Sequence, residues 1–178
     1  MHRLFWAALP AVLLAAGALA QTGRNPGPDN VVLPTSYQNQ FIRYATVDKP
    51  DRKIIRYLYV NPESFAAAKK AQPLPSGTVI IMEDHAARLD SNGTALLDQQ
   101  GRFVPQATVS AIFVQEKRTG WGTGYSDTIR NGEWEYARFN PDGSRHDAPV
   151  AACFECHKKT RETQDYTFNL WDYLQTRR

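Results

Sequence analysis

The fold is decided by Ile54-Ile55-Arg56-Tyr57-Leu58-Tyr59-Val60, a run dominated by β-branched and aromatic side chains. This composition is typical of a buried β-strand. The residues that follow, Asn61-Pro62-Glu63, supply an N-cap, a proline at the first helical position and an acid in the first turn. They predict a helix from Pro62 to about Ala71, which the prolines and glycine of residues 73–77 end.

The same kind of pattern recurs along the chain and predicts three further strands, at Thr78–Glu83, Thr108–Glu116 and Glu133–Phe139. A turn sequence at Ser91-Asn92-Gly93 lies between the first two of these, and the turn sequence Asn140-Pro141-Asp142-Gly143 follows the last. Upstream, Tyr37–Val47 is expected to begin as a short helix and become extended. A last helix is predicted from Asp165, as its cap, to about Gln175. The predicted fold class is therefore α+β, with a mainly antiparallel β-sheet and flanking helices.

The C-terminal part contains Cys153-Phe154-Glu155-Cys156-His157, which is the attachment motif of a c-type haem. Each thiol adds to one haem vinyl group, and the next residue lies where an imidazole can bind the iron axially. The chain has two cysteines in all, and both belong to this motif. The motif predicts one covalent haem near the C-terminus, held by Cys153, Cys156 and His157.

Two other uses of this motif stay open at this point. A redox-active dithiol also has the Cys-x-x-Cys spacing, although such motifs usually belong to an early βαβ unit. A structural zinc site needs four ligands, so His85 or His146 would have to join the three residues of the motif.

The N-terminus predicts export to the periplasm. A single arginine precedes the apolar run Leu4–Leu19, and Ala18-Leu19-Ala20 has the small-x-small pattern of a signal-peptide cleavage site. An uncleaved membrane anchor is the alternative. The chain then divides into a cleaved signal peptide (1–20), a flexible or extended lead-in (21–36) and one haem domain (37–178), with no transmembrane segment after cleavage.

The formal net charge of +3 is too close to neutral to predict nucleic-acid binding. It allows a weak electrostatic preference for a redox partner protein. The sequence leaves a homodimer open.

Several short stretches, in their order, resemble the cytochrome P-460 family: Tyr59-Val60-Asn61-Pro62-Glu63-Ser64-Phe65, Gly77-Thr78-Val79, Glu83, Trp134, the cysteine–histidine motif and Asp165-Tyr166-x-Phe168. The resemblance implies an antiparallel sheet, one haem c with His157 as the axial iron ligand, and an open distal site. One branch of this family oxidises hydroxylamine and carries a lysine cross-linked to the haem. The other, the cytochromes c′-beta, lacks the cross-link and binds gases such as nitric oxide and carbon monoxide.

The position of the cross-linking lysine is occupied here by Met82. A methionine in a strand is usually a core residue, and iron ligation is the alternative. His85 is a candidate distal ligand or a surface histidine, and Glu83 is a candidate proton relay or a solvated strand residue. Aromatic residues that could line a haem pocket, or simply build the core, are Phe65, Phe113, Trp121, Trp134 and Tyr136.

Three functions follow as hypotheses. The first is an exported monohaem cytochrome that binds nitric oxide or a similar small ligand at an open iron site. The second is a periplasmic electron-transfer cytochrome with six-coordinate iron. The third, an oxidoreductase acting on hydroxylamine, is disfavoured because Met82 replaces the lysine.

Overall fold

A computed structural model of the protein describes residues 26–176. The predicted signal peptide lies outside the described residues, as does the first part of the lead-in. The helices are α1 (Tyr37–Gln40), α2 (Pro62–Ala67), α3 (Ala151–Arg161) and α4 (Asn169–Thr176), and the strands are β1 (Ile42–Lys49), β2 (Ile54–Val60), β3 (Val79–Ala87), β4 (Pro105–Lys117) and β5 (Trp134–Phe139). Short 3₁₀ turns occur at Pro50–Arg52, Trp121–Gly124 and Glu162–Gln164.

The five strands form one antiparallel sheet in which each strand pairs with the next along the chain, so that β3 is central. Successive side chains of a strand point to opposite faces of a sheet, and β3 is apolar or buried on both. Both faces must therefore be covered. The predicted α+β class, with a mainly antiparallel sheet and flanking helices, is confirmed.

One face, which we call the helix face, carries Val60, Ile80, Trp134 and Tyr136 and is covered by the C-terminal helices. Helix α3 packs against β5, and α4 packs against β1. Their buried side chains, Phe154, Leu170 and Leu174, complete this core.

The other face, which we call the N-terminal face, carries Tyr59, Ile81 and Ile112 and is covered by residues that precede β1, including Val31 and Tyr37. Residues 26–36, the second part of the predicted lead-in, have no regular secondary structure, and Val31 and Leu33 pack against the sheet. Asn30 donates from its backbone N–H and its side-chain amide to the Glu135 carboxylate, at 2.9 and 2.8 Å. The domain boundaries themselves stay predictions.

The helix predicted from Pro62 to Ala71 is shorter than expected. It ends at Ala67, and Ala68 is already extended. Asn61 does not cap it through its side chain, because its Oδ1 accepts from the N–H of Val79 at 2.8 Å. The chain has to leave the helix early in order to bury Leu74 in the core of the helix face.

The last helix begins at Asn169, and the prediction that Asp165 caps it is wrong. Asp165 has a left-handed backbone, with φ of 49°. Its carboxylate accepts from the N–H of Leu74 at 2.8 Å and from the ammonium of Lys117 at 2.9 Å. Among residues 26–176, no helix is both long enough and apolar enough to cross a membrane.

Candidate functional site

A cavity of about 300 Å³ lies between the helix face of the sheet and the C-terminal helices. Its walls include residues from all five strands and from α3 and α4. The residues that matter for its chemistry are Tyr44, Lys49, Arg56, Leu58, Met82, Phe113, Gln115, Tyr136, Cys153, Cys156, His157 and Phe168.

The helical wall is formed by Cys153, Cys156 and His157 of α3. Residues three and four apart share one face of a helix, so the predicted motif places both thiols and the imidazole on the cavity side. The other side of α3 is fixed by Phe154, which is fully buried and stacks with Tyr125 and Tyr136.

The imidazole of His157 has a defined orientation. Its Nδ1 lies 2.6 Å from the carbonyl oxygen of Tyr166, which can only accept a hydrogen bond. Nδ1 therefore carries the proton, and Nε2 keeps its lone pair. Burial lowers the pKa of His157, so the ring is neutral near pH 7. The rings of Tyr136 and Phe168 pack against it, each with its centroid 4.7 Å away. A fixed neutral imidazole with a free nitrogen is a competent iron ligand.

The sheet wall of the cavity has an apolar centre. Leu58 pairs with Met82, and Met82 pairs with Phe113, so these three side chains lie side by side across β2, β3 and β4. Met82 thus lines the cavity.

The cations of the cavity lie towards the β1–β2 side, where Lys49 and Arg56 line it. Arg56 donates to both oxygens of Asp84, at 2.7 and 2.8 Å. Among the described residues that line the cavity, none is an aspartate or glutamate.

The Glu83 carboxylate lies on the N-terminal face, away from the cavity. It accepts from the hydroxyl of Tyr37 and, at 3.0 Å, from the amide of Gln38. The other carboxylate oxygen is 2.6 Å from Nε2 of His85. The prediction of Glu83 as a proton relay beside the haem is not supported by this placement.

His85 is a buried residue of β3 rather than a surface histidine or a distal ligand. Its Nδ1 lies 3.0 Å from the carbonyl oxygen of Gln106, and its Nε2 faces Glu83. Both ring nitrogens are engaged on the face of the sheet opposite to the cavity.

Of the five candidate pocket aromatics, Phe113 and Tyr136 line the cavity. Trp134 and Phe65 belong to the core of the helix face, and Trp121 packs on the N-terminal face. His146 lies in the turn after β5, where its Nδ1 accepts from the N–H of Ala148 at 2.9 Å.

The alternatives for the cysteine motif find little support. Cys153 and Cys156 are not joined by a disulfide. Burial raises the pKa of the Cys153 thiol, whereas a redox-active dithiol needs a lowered pKa. No group of three or more His, Cys, Asp or Glu side chains within residues 26–176 converges as a metal site requires. His85, the fourth ligand considered for zinc, lies across the sheet.

The two thiols and the imidazole are spaced along α3 and do not converge on one point, and this spacing fits a haem. Its two vinyl carbons and its iron are separate points of one macrocycle, so two thiols and an imidazole should be spread along a wall. The apolar sheet wall then faces the other side of the ring, and cations are available for its two carboxylates.

Two polar contacts of this site were not predicted from the sequence. They are the Tyr166 carbonyl that orients His157 and the Gln115 side chain that also donates to it, at 2.9 Å. A glutamine within the apolar β4 pattern was the available signal, because buried polar side chains need a partner.

A protein-family model described as Cytochrome P460 matches residues 34–169 of this chain. A search of curated proteins finds no match.

Proposed function

The chain belongs to the cytochrome P460 family, and from this premise we propose that it is an exported monohaem c-type cytochrome that binds nitric oxide or a similar small ligand at an open iron position. In this proposal Cys153 and Cys156 attach the haem through thioethers. His157 holds the iron from the α3 side, through the nitrogen that faces away from Tyr166.

The observation that carries the proposal is the apolar sheet wall of Leu58, Met82 and Phe113. Haem iron, when bound, supplies a coordination position that takes up a diatomic gas. An apolar wall on that side favours an uncharged diatomic over water or an anion, since a charged ligand would lose its hydration without a partner.

Hydroxylamine oxidation is less well supported. Removing electrons from hydroxylamine also removes protons, and no described carboxylate lines the cavity to accept them. The thioether of Met82 also cannot form the cross-link that an amine forms, because it has no proton to lose.

Electron transfer is the second candidate, and Met82 is the observation that favours it. Its sulfur lies on the wall opposite to His157, where a methionine could complete six-coordinate iron. Such a protein would pass electrons to a partner and resist binding of small ligands.

The site of action that we propose is the periplasm, as predicted from residues 1–20. A cysteine–histidine haem motif in an exported chain supports this placement, because bacteria attach c-type haem outside the cytoplasmic membrane. A redox partner protein would be needed to reduce the iron before a reductively bound gas is taken up.

The test is the ultraviolet–visible spectrum of the ferrous protein before and after carbon monoxide or nitric oxide, for the wild type and Met82→Leu. The proposal expects a high-spin ferrous spectrum and rapid carbon monoxide uptake in both. A low-spin wild-type spectrum that becomes high-spin in Met82→Leu would overturn it in favour of electron transfer.

A further inference from the structure

We propose that Gln115 and the Lys117–Asp165 ion pair are positioning residues that set the hydrogen bond between Tyr166 and His157, and through it the reduction potential of the iron. The inference rests on the proposed function, because it takes His157 as the axial ligand. It concerns a different part of the molecule, the end of β4 and the turn before α4.

The carbonyl oxygen of Tyr166 accepts two hydrogen bonds. One comes from Nδ1 of His157 at 2.6 Å and the other from Nε2 of Gln115 at 2.9 Å. A carbonyl oxygen has two lone pairs, so both bonds can form at once. They draw on the same electron density, so the bond from Gln115 weakens the one from His157. The strength of the His157 bond controls how much negative charge the imidazole carries towards the iron.

The direction of this carbonyl depends on a strained turn. Asp165 and Tyr166 are consecutive residues with positive φ, 49° and 56°. A non-glycine residue held there is strained and persists only when its surroundings stabilise it. The turn is therefore not a preference of its own sequence.

The ion pair stabilises this conformation together with the backbone hydrogen bonds of the turn. Lys117 Nζ lies 2.9 Å from both carboxylate oxygens of Asp165, and the two side chains are only 12% and 10% exposed. The same carboxylate also accepts from the N–H of Leu74, at 2.8 Å. Because the Asp165 carboxylate is held by three hydrogen bonds, the backbone of Asp165 has little freedom to rotate. The position of the Tyr166 carbonyl is restricted with it.

One strand provides both contacts. Gln115 and Lys117 are two residues apart in β4, so their side chains point to the same face of the sheet. In the register of β4 against β5, Gln115 pairs with Tyr136 and Lys117 pairs with Trp134. Tyr136 and Trp134 are both buried. The position of the Tyr166 carbonyl thus depends on contacts from the sheet as well as on the bond from the Tyr166 N–H to the carbonyl oxygen of Arg161, the last residue of α3, at 2.8 Å.

The two contacts predict opposite effects. Without the Gln115 donor, the Tyr166 carbonyl accepts from His157 alone, and the stronger bond makes the imidazole a better donor to ferric iron. The reduction potential should then fall. Without the cation of Lys117, the turn relaxes and the carbonyl leaves Nδ1. The potential should then rise.

The experiment measures the midpoint potential and the ferrous iron–histidine stretching frequency of the holoprotein for the wild type, Gln115→Leu, Lys117→Met and Lys117→Arg. Gln115→Leu should raise the equilibrium ratio of ferric to ferrous protein at a given potential by roughly two- to tenfold. A tenfold change corresponds to a fall of about 59 mV in the midpoint potential for one electron. It should also raise the stretching frequency. Lys117→Met should shift both in the other direction, and Lys117→Arg, which keeps the ion pair, should stay near the wild type.

A purely structural role would lower the stability of the variants and leave the potential and the stretching frequency unchanged, which would overturn the inference. Shifts of the same sign in Gln115→Leu and Lys117→Met would also overturn it. If Lys117→Met does not fold, the Gln115→Leu shift alone decides. His157→Gly tests the axial ligand separately, because it should remove the iron–histidine band of the wild type. If the wild type has no such band, or if His157→Gly keeps it, the proposed function has failed at its axial ligand, which is a separate result.

Discussion

Met82 and Glu83 are consecutive residues of β3, and their side chains lie on opposite faces of the sheet. Met82 lines the cavity between the sheet and the C-terminal helices. Glu83 is buried among Tyr37, Gln38 and His85 beneath the N-terminal segment. β3 thus has the candidate ligand-binding cavity on one face and a structural cluster of polar side chains on the other. Substitutions of Met82 and of Glu83 should therefore have unrelated effects.

Met82→Lys should give a haem–protein cross-link when the ferric holoprotein is treated with hydrogen peroxide, because it places a nucleophilic amine on the cavity wall. The new carbon–nitrogen bond replaces a carbon–hydrogen bond of the macrocycle, and the peroxide takes up the two electrons and two protons that are released as it is reduced to water. The ferrous Soret band should move to the red, and a tryptic peptide from β3 should carry haem in mass spectrometry. The wild type should show only the two thioether bonds. Met82→Gln is the matched control, since it is polar and of similar size without an amine. A haem-linked β3 peptide in the wild type would contradict this prediction.

Glu83→Leu should destabilise the protein, because it leaves the buried Tyr37 hydroxyl and the His85 ring without their hydrogen-bond partner, at about 1–3 kcal/mol for each group. Its carboxylate is only 3% exposed and lies 2.6 Å from His85. Glu83→Gln should cost less, because the amide can still accept from Tyr37 and form a hydrogen bond with His85. Urea unfolding measures both. Carbon monoxide affinity should be unchanged in Glu83→Gln, and a large loss of affinity there would show that Glu83 acts on the cavity after all.

Replacing both Cys153 and Cys156 by alanine should make the haem extractable with acidified acetone. Each single variant should keep the haem through one thioether, and its pyridine haemochrome band should lie between those of haem c and free haem. The measurement is the haem retained after extraction. Haem that resists extraction from the double variant would require another covalent attachment.

Asp48→Asn should lower stability at neutral pH by at most about 1 kcal/mol, since Arg102, its partner, is 42% exposed and screened by solvent. The hydrogen bond from Arg102 lowers the pKa of Asp48. A lowered folded-state pKa gives stability that is present above the unfolded value, near about 3.9, and is lost as the pH falls through the folded value. The difference between wild type and Asp48→Asn in urea unfolding should therefore shrink as the pH falls below about 4. Asp51→Asn, at an exposed position of the 3₁₀ turn that follows β1, is the control.

The strands were predictable because their signal is local. The runs at Ile54–Val60 and Glu133–Phe139 are β-branched or aromatic, and the observed β2 and β5 match them within a residue. The cysteine–histidine motif was predictable for the same reason, since its helical spacing alone brings three side chains to one face of α3.

The errors concern contacts between distant parts of the chain. The end of α2 depends on Asn61 and Leu74, whose partners are in β3 and in the turn before α4. Asp165 has the composition of a helix cap, and Lys117 instead draws it into an ion pair. The side of the sheet on which Glu83 and His85 lie follows from which face α3 covers, and a strand pattern that is apolar on both faces gives no indication of that.

The order of the elements has a consequence for assembly. Each strand pairs with the strand made just before it, so the complete sheet is available once Phe139 has emerged, before either cysteine has been synthesised. Until α3 and α4 arrive, the helix face exposes Val60, Ile80 and Trp134 to solvent. Loading of the cofactor and closure of this core therefore fall in the same late stage. A chain that fails to acquire haem should keep its strands but expose this apolar face. It should therefore be prone to aggregation and easily cleaved by proteases, which gives the cell a means to remove it.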